Sequence, residues 1–397
     1  MTDVDIVGGV YREVCAFPAW DQIFGSGGRS AAALSGEHID HVRLHTMVPS
    51  HLIETVEANL GVYGVDLVIR EGPAFFEFEY LHPLATPSIR SNVGRSYDRG
   101  RLDVSGDTVI CFGMMEADAS VSAETCIYDP QSPNNPKRFS ETESQTERLA
   151  IVCNQSELSI MAGDFDDKHA VQFLREESAD VLVVKRGMQG VTVFTPEDEG
   201  HVSAFDCESS FLIGSGDVFT SAFGLAWGCR RKGPMEAAEY ASKAVSNYCA
   251  TRLLPILSHE GMEEHDWQPV RPMKGKAYLA GPFREIYQRY LINESRRYLR
   301  DAGLGVFSPV HDIGRGPAEK VVAKDLKAIH DCDLVFAVLN GSSPGTLFEV
   351  GYAVALGKPV YCLAENMRAQ DIKLPYGAGC KIYDDLPTAI FKAATRA

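Results

Sequence analysis

The sequence predicts an α/β protein of two domains, with parallel strands in both. Three observations carry that expectation. Short apolar runs rich in β-branched residues recur along the chain, and helical patterns lie between them. A polar, proline-containing stretch without periodicity separates one such series from a second. The length of 397 residues, more than one hydrophobic core usually serves, agrees with two domains.

Taken in order, the start, Met1–Val7, runs straight into a first strand, and Leu67–Ile69, Val109–Phe112, Leu149–Val152, Val181–Val184 and Val191–Phe194 read as later ones. Ser156–Ala162 and Asp167–Glu177 carry helical spacing, and a long helix over Met235–Leu254 closes the first domain, 1–256. Residues 257–274 are the expected linker. A new series then fills 275–397: strand Ala277–Ala280, helix Arg284–Asp301, strand Val306–Phe307 and helix Ala318–His330. Strand Asp333–Leu339, helix Thr346–Leu356 and strand Val360–Leu363 complete it. This order predicts a smaller, Rossmann-like (flavodoxin-like) α/β domain with a parallel sheet.

Composition bounds the function. Hydrophobic residues at 45% and charged residues at 23% are globular proportions. A formal net charge of −16 argues against a nucleic-acid partner, although local basic groups and helix N-termini can still hold small anions. No apolar run is long enough to span a membrane, and the start shows no basic, apolar leader. The ten cysteines are scattered without a C-x-x-C pair, as expected of reduced thiols in a cytoplasmic protein.

The sharpest signal in the first domain is Gly214-Ser215-Gly216-Asp217-Val218-Phe219-Thr220, which opens a helical pattern of Phe219, Ala222, Phe223 and Ala226. Glycines there let the backbone approach a ligand, and N–H groups at a helix start attract phosphate. An aspartate among them can take the proton of an attacking hydroxyl during phosphoryl transfer. Ser and Asp are also common helix caps, so the string alone leaves both readings open. Upstream, Val183–Val193 reads as strand, Gly-bearing turn and strand. Asn154-Gln155-Ser156-Glu157 follows a strand ending at Cys153, with a spacing that also suits a capping box.

Together, in this order, these segments resemble the ribokinase-like (PfkB) family of carbohydrate and nucleoside kinases. The resemblance implies a ribokinase-like α/β fold, ATP and Mg²⁺ as cofactors, and Asp217 as catalytic base. Gly214, Ser215 and Gly216 would form the anion hole, and Asn154 and Glu157 would organise Mg²⁺ and phosphate without ligating a metal directly. It extends to Gly25–Ala32, where Gly27 and Gly28 would lie beneath the sugar, and to Glu13, which would meet sugar hydroxyls. The asparagine that usually follows the glycine pair is absent, and the region is shorter than typical members. An inactive domain that binds a ligand or serves assembly is the alternative.

The second domain holds the denser motifs: Tyr278-Leu279-Ala280-Gly281-Pro282, Phe307–Gly316, Lys324-Asp325-Leu326, Cys332-Asp333 and Ser343–Ala353. Thr346 to Glu349 has capping-box spacing, which would make Glu349 a backbone staple. Yet its helix follows a strand of a parallel sheet, where ligands gather beyond the carboxyl ends. A place near a helix N-terminus would lower its pKa and keep it ionised as a nucleophile. Such a carboxylate can trap the oxocarbenium-like centre formed when an N-glycosidic bond breaks. Asp325 and Asp333 are candidates for a second acid, and Asp333 equally for a strand cap.

Residues 276 to about 395 resemble the nucleoside 2-deoxyribosyltransferase superfamily, including its nucleoside 5′-monophosphate N-glycosidase branch. The resemblance implies Glu349 as nucleophile, Asp325 in proton transfer or hydroxyl positioning, Tyr278 orienting the carboxylate, and Gly281, Pro282 and His311 lining the nucleoside pocket. It implies no cofactor for this domain. Ser343, with Gly345 beside it, stands where transferases tend to carry an acidic residue, and a serine suits a 5′-phosphate. Arg315 would add charge there. The joint expectation is a bifunctional enzyme acting on small nucleoside, nucleotide or pentose substrates, associating as a homo-oligomer as both families commonly do. Hydrolase and transferase chemistry both stay open.

Overall fold

A computed structural model describes residues 3–36, 39–94, 97–132, 134–163, 167–314, 316–341 and 343–396. The chain divides into two compact units, Met1–Pro269 and Val270–Ala397.

In the first unit the strands are β1 (Asp3–Val7), β2 (Arg12–Cys15), β3 (Trp20–Ile23), β4 (His41–Val48), β5 (Asp66–Glu71), β6 (Phe76–Tyr80) and β7 (Ser88–Ser91). The long β8 (Gly100–Phe112) and β9 (Ala117–Asp129) follow, then β10 (Gln145–Asn154), β11 (Val181–Lys185), β12 (Val191–Phe194) and β13 (Glu199–Val202). Between and after them lie α1 (Gly25–Leu34), α2 (Ile53–Gly61), α3 (Gln155–Ala162), α4 (Asp167–Glu176), α5 (Ser215–Phe223), α6 (Pro234–Thr251) and α7 (His259–Glu264).

Nine strands form one sheet in the order β13-β12-β11-β10-β9-β8-β1-β4-β5, parallel except where β12 pairs with β11 and β13. Helices cover both faces, so the central strands read as unbroken apolar runs. Alternation along β8 shows the two layers. Ile110 and Phe112 join residues of α1, α5 and α6 in one core, whereas Val109 and Cys111 join residues of α3 and α4 in another. A separate four-stranded sheet, β3-β2-β6-β7, stands off the main one. Its strands are largely half-exposed, which is why their weak apolar pattern was not legible in the sequence.

The expected linker, 257–274, needs correction, because most of it is folded. Ser258 caps α7 by accepting from the Gly261 N–H, Met262 is buried in the first core, and Trp267 packs against that core. Asp206 N–H donates to the Gln268 carbonyl at 2.8 Å. A helix of six residues is too short to register as periodicity.

The second unit contains β14 (Arg271–Pro272), β15 (Lys276–Ala280), β16 (Gly305–Phe307), β17 (Leu334–Val338), β18 (Val360–Leu363), β19 (Lys381–Tyr383) and β20 (Thr395–Arg396). Its helices are α8 (Ile286–Asp301), α9 (Pro309–Asp312), α10 (Ala318–Asp331), α11 (Pro344–Ala355), α12 (Ala369–Gly377) and α13 (Leu386–Ala394). Five strands in the order β16-β15-β17-β18-β19 are all parallel, and β14 pairs antiparallel with β20. The strand order reverses between β15 and β17, so the crevice for a ligand opens at their carboxyl ends.

One glycine contact sets how α1 lies on the sheet. A Cβ on Gly27 would stand 2.5 Å from the Gly8 carbonyl oxygen, and the Gly27 N–H donates to Gly9 at 3.0 Å. Gly27→Ala is therefore expected to lower stability by about 1–3 kcal/mol, measured by urea unfolding.

Candidate active sites

In the second unit the sheet delivers Tyr278 from β15, Asp325 from α10 and Glu349 from α11 to one place. The Tyr278 hydroxyl donates to Glu349 Oε1 at 2.8 Å. The tyrosine is fully buried and stacks on Phe307 with ring centroids 5.8 Å apart. Its hydroxyl is pushed well up, by burial first and then by the Glu349 and Asp325 charges. It therefore stays a donor.

Glu349 does not act as a staple. Its helix starts at Pro344 with Ser343 as N-cap, no side-chain capping bond forms, and Glu349 lies on the second turn, past the first-turn N–H groups. The expected lowering of its pKa is corrected accordingly. Burial raises its carboxyl to about 7, with Asp325 adding to the rise and the Tyr278 hydrogen bond opposing it. Asp325 is likewise raised by burial, and its Oδ1 is buried without a hydrogen-bond partner among the described residues.

The neighbouring residues divide. Gly281 and Pro282 follow β15 at the same carboxyl edge. A Cβ on Gly281 would meet Ile292 Cδ1 at 2.5 Å, so packing of α8 already requires that glycine. Ser343 leaves its hydroxyl free of any cap, with Gly345 in the first turn behind it. His311 reaches the edge beyond β16, but both ring nitrogens are tied, to Ser308 Oγ and Asn293 Oδ1, each at 3.0 Å. Asp333 is a correction: it precedes β17, at the amino edge, and accepts from the Lys276 N–H at 2.7 Å. Arg315 lies outside the described residues.

In the first unit, Gly214 takes φ +77 and caps α5, bringing the first turn Ser215-Gly216-Asp217 to a cavity of about 870 Å³. Glu13 on β2 lines the same cavity. Gly27 and Gly28 do not, since Gly27 packs on Gly8 and Gly28 faces Leu60; Gly25 and Ser26 line it instead. Asn154 and Glu157 form the capping box of α3, each side chain bonding the other's backbone N–H. Glu157 is also raised to about 7, by burial and then by the charge of Asp129.

Asp129, Gln131, Lys185 and Arg29 were given no role by the sequence reading. Asp129, fully buried at the end of β9, accepts from Lys185 Nζ and Thr220 Oγ1, both at 2.7 Å. Gln131 donates to Asp217 Oδ1. Arg29, also fully buried, donates through Nη1 to Asp217 at 2.8 Å and to Glu13 at 2.9 Å, and through Nη2 to Glu13 as well. Lys185 stood inside a recognised string, and Asp129-Pro130 closes an apolar run. Nothing in the sequence marked Arg29 as buried.

Residues 277–383 match the family model for nucleoside 2-deoxyribosyltransferase, and residues 115–251 match that for the pfkB family carbohydrate kinases. The chain carries both domains. Glu13, Gly27 and Gly28 fall outside the matched PfkB segment. Among solved structures, the chain is similar to a fructokinase double mutant from Vibrio cholerae O395 with fructose, ADP and potassium bound. Identity is 14% and TM-score 0.51 over 66% of this chain and 98% of that one. The same fructokinase with fructose, ADP and calcium gives 14% and 0.50, over 66% and 98%. A Thermotoga maritima ribokinase gives 17% and 0.48, over 66% and 99%. The two fructokinase likenesses establish a ribokinase-like fold for the PfkB unit. By sequence, no curated protein matches the chain. Among the described residues no helix is long and apolar enough to cross a membrane.

The buried Glu349 carboxyl links pH to stability. The folded state keeps a proton that the unfolded chain releases near the ordinary value of 4.5, so stability falls as pH rises from there to about 7. Glu349→Gln removes that ionisation. Its melting temperature is expected to exceed that of the wild type at pH 8, with a smaller gap at pH 5; thermal scans at the two pH values check this.

Proposed function

We propose that the C-terminal unit breaks the N-glycosidic bond of a (deoxy)nucleoside or its 5′-monophosphate, and that the PfkB unit phosphorylates a nucleoside or sugar with ATP. The grouping of Tyr278, Glu349 and Asp325 at the crevice of a parallel sheet carries the first reading. Glu349 attacks C1′, the C1′–N bond breaks, and its electron pair leaves with the base. Asp325, its carboxyl raised by burial, stands beside Tyr278 and Glu349 to pass a proton to that base. Water or a second base then displaces Glu349. Tyr278 holds the attacking carboxylate by its single phenolic hydrogen bond. Ser343 and the free N–H groups of the first turn of α11 suit a 5′-phosphate better than an acidic residue would.

For the PfkB unit, Asp217 takes the proton of the attacking hydroxyl and the first turn of α5 stabilises the transferring phosphoryl group. Among the described residues no three acidic, His or Cys side chains group as metal ligands. Mg²⁺ would arrive on the nucleotide phosphates, where it would neutralise charge and need one or two carboxylates at most. Glu157 and Asn154 stand close enough to the Asp129–Lys185 pair to order that end of the site.

Glu349→Gln is expected to reduce base release by about 10³-fold or more, while Tyr278→Phe acts chiefly by shifting the acid limb of the pH–rate profile. Asp217→Asn is expected to lose roughly 10²–10⁴-fold in phosphoryl transfer, with base release from a supplied 5′-monophosphate unchanged. Mass spectrometry of products from a nucleoside and nucleotide pool, with and without Mg-ATP, tests the order of steps. Free base forming equally fast in both arms overturns phosphorylation as the first step.

A further inference from the structure

The carboxylate assigned as base in the PfkB unit is not open to the cavity it lines. Asp217 Oδ2 accepts from Arg29, a cation with no exposed surface, so that oxygen is turned to the interior. Oδ1 accepts from the side-chain amide of Gln131, and Gln131 and Asp217 both line the cavity. The cavity-side oxygen of the base therefore already carries a donor.

Gln131 is held there against its backbone preference. Its φ of +42 lies in the left-handed region, which glutamine seldom adopts and glycine takes freely. Two carboxylates fix the turn. Asp129 Oδ1 accepts from the Gln131 N–H at 3.3 Å, while its Oδ2 holds Lys185 and Thr220. Glu157 accepts from the Ser132 N–H. A strained residue pinned by its neighbours, with its amide on a reactive group, points to function rather than to packing.

We propose that Gln131 guards Asp217 against water: its amide occupies Oδ1 until a bound acceptor hydroxyl displaces it, so that the PfkB unit does not hydrolyse ATP when no acceptor is present. This goes beyond the kinase reading given above and rests on it.

The competition turns on how each hydroxyl is held. A water molecule offers Oδ1 nothing that the amide does not, and nothing fixes it in place. An acceptor bound along the cavity wall arrives with its hydroxyl positioned, and exchanging one donor for another on Oδ1 keeps the hydrogen bond made. Once the amide has left, the hydroxyl proton passes to Oδ1 and the hydroxyl oxygen attacks the γ-phosphorus. The bond from that phosphorus to the β–γ bridging oxygen breaks, and ADP leaves with the electron pair. Water attacking by the same route would yield ADP and inorganic phosphate, the loss that the amide prevents.

ADP release from Mg-ATP by the full chain, without acceptor and with a mixed pool of nucleosides and pentoses, tests this. Gln131→Gly relieves the left-handed backbone and Gln131→Ala keeps its strain, while both lack the amide; circular dichroism checks that each is folded. In both variants acceptor-free release is expected to rise about five-fold or more, a small part of the roughly 10²–10⁴-fold that a general base supplies. The ratio of acceptor-stimulated to acceptor-free release is expected to fall by the same factor. Acceptor-free release by the folded variants within about two-fold of the wild type overturns the proposal. So does a rise in the glycine variant that a folded alanine variant does not share, since that marks a loosened backbone. Both failures leave the kinase reading standing as long as the pool stimulates the wild type. If the pool stimulates no ADP release from the wild type, the kinase reading fails and the proposal falls with it.

Discussion

Placing a carboxylate out of water raises its proton affinity, and the cluster of Tyr278, Asp325 and Glu349 depends on how far that rise is checked. Glu349 is buried enough to be pushed to about 7, and one phenolic hydrogen bond from Tyr278 keeps it from rising further. Asp325 opposes ionisation of the same group from across the crevice. Burial and the Asp325 charge both act against the ionised form of Glu349, and the Tyr278 hydrogen bond favours it. Tyr278 supports this because it is itself immobile, fully buried on β15 and stacked on Phe307.

The PfkB unit resolves its buried charges in another way. Glu13 and Asp217 share Arg29, and Asp129 is held by Lys185 and Thr220. Three carboxylates thus share two cations, and the remaining negative charge is met by hydrogen bonds, from Thr220 to Asp129 and from Gln131 to Asp217. The arrangement ties β2 of the small sheet to the start of α5 through α1. Gly214 is part of the same solution, since its positive φ forms the turn and its missing side chain leaves room for the guanidinium.

Much of this was legible in the chain itself. The alternation of strands and helices, the Gly214–Asp217 turn and the Ser343–Ala353 string led to α/β architecture with parallel sheets and to Tyr278, Asp325, Asp217 and Glu349. The small sheet β3-β2-β6-β7 was not legible, because half-exposed strands of four or five residues leave little apolar signal. Asp333 shows the opposite failure. A motif places a residue beside a strand without saying at which end of the sheet its side chain acts, and here it bonds the backbone of Lys276 at the amino edge.

Residue order by itself determined which segments become strands, helices and phosphate-type turns, since these follow from local spacing of apolar residues and from glycine's conformational freedom. Tertiary structure alone decided the raised proton affinity of Glu349, the occupant of the space between Glu13 and Asp217, and the fate of the stretch once read as a linker. Those outcomes depend on desolvation and on partners up to 188 positions apart in sequence, as Arg29 and Asp217 are. No local pattern encodes how much water a folded neighbour will exclude.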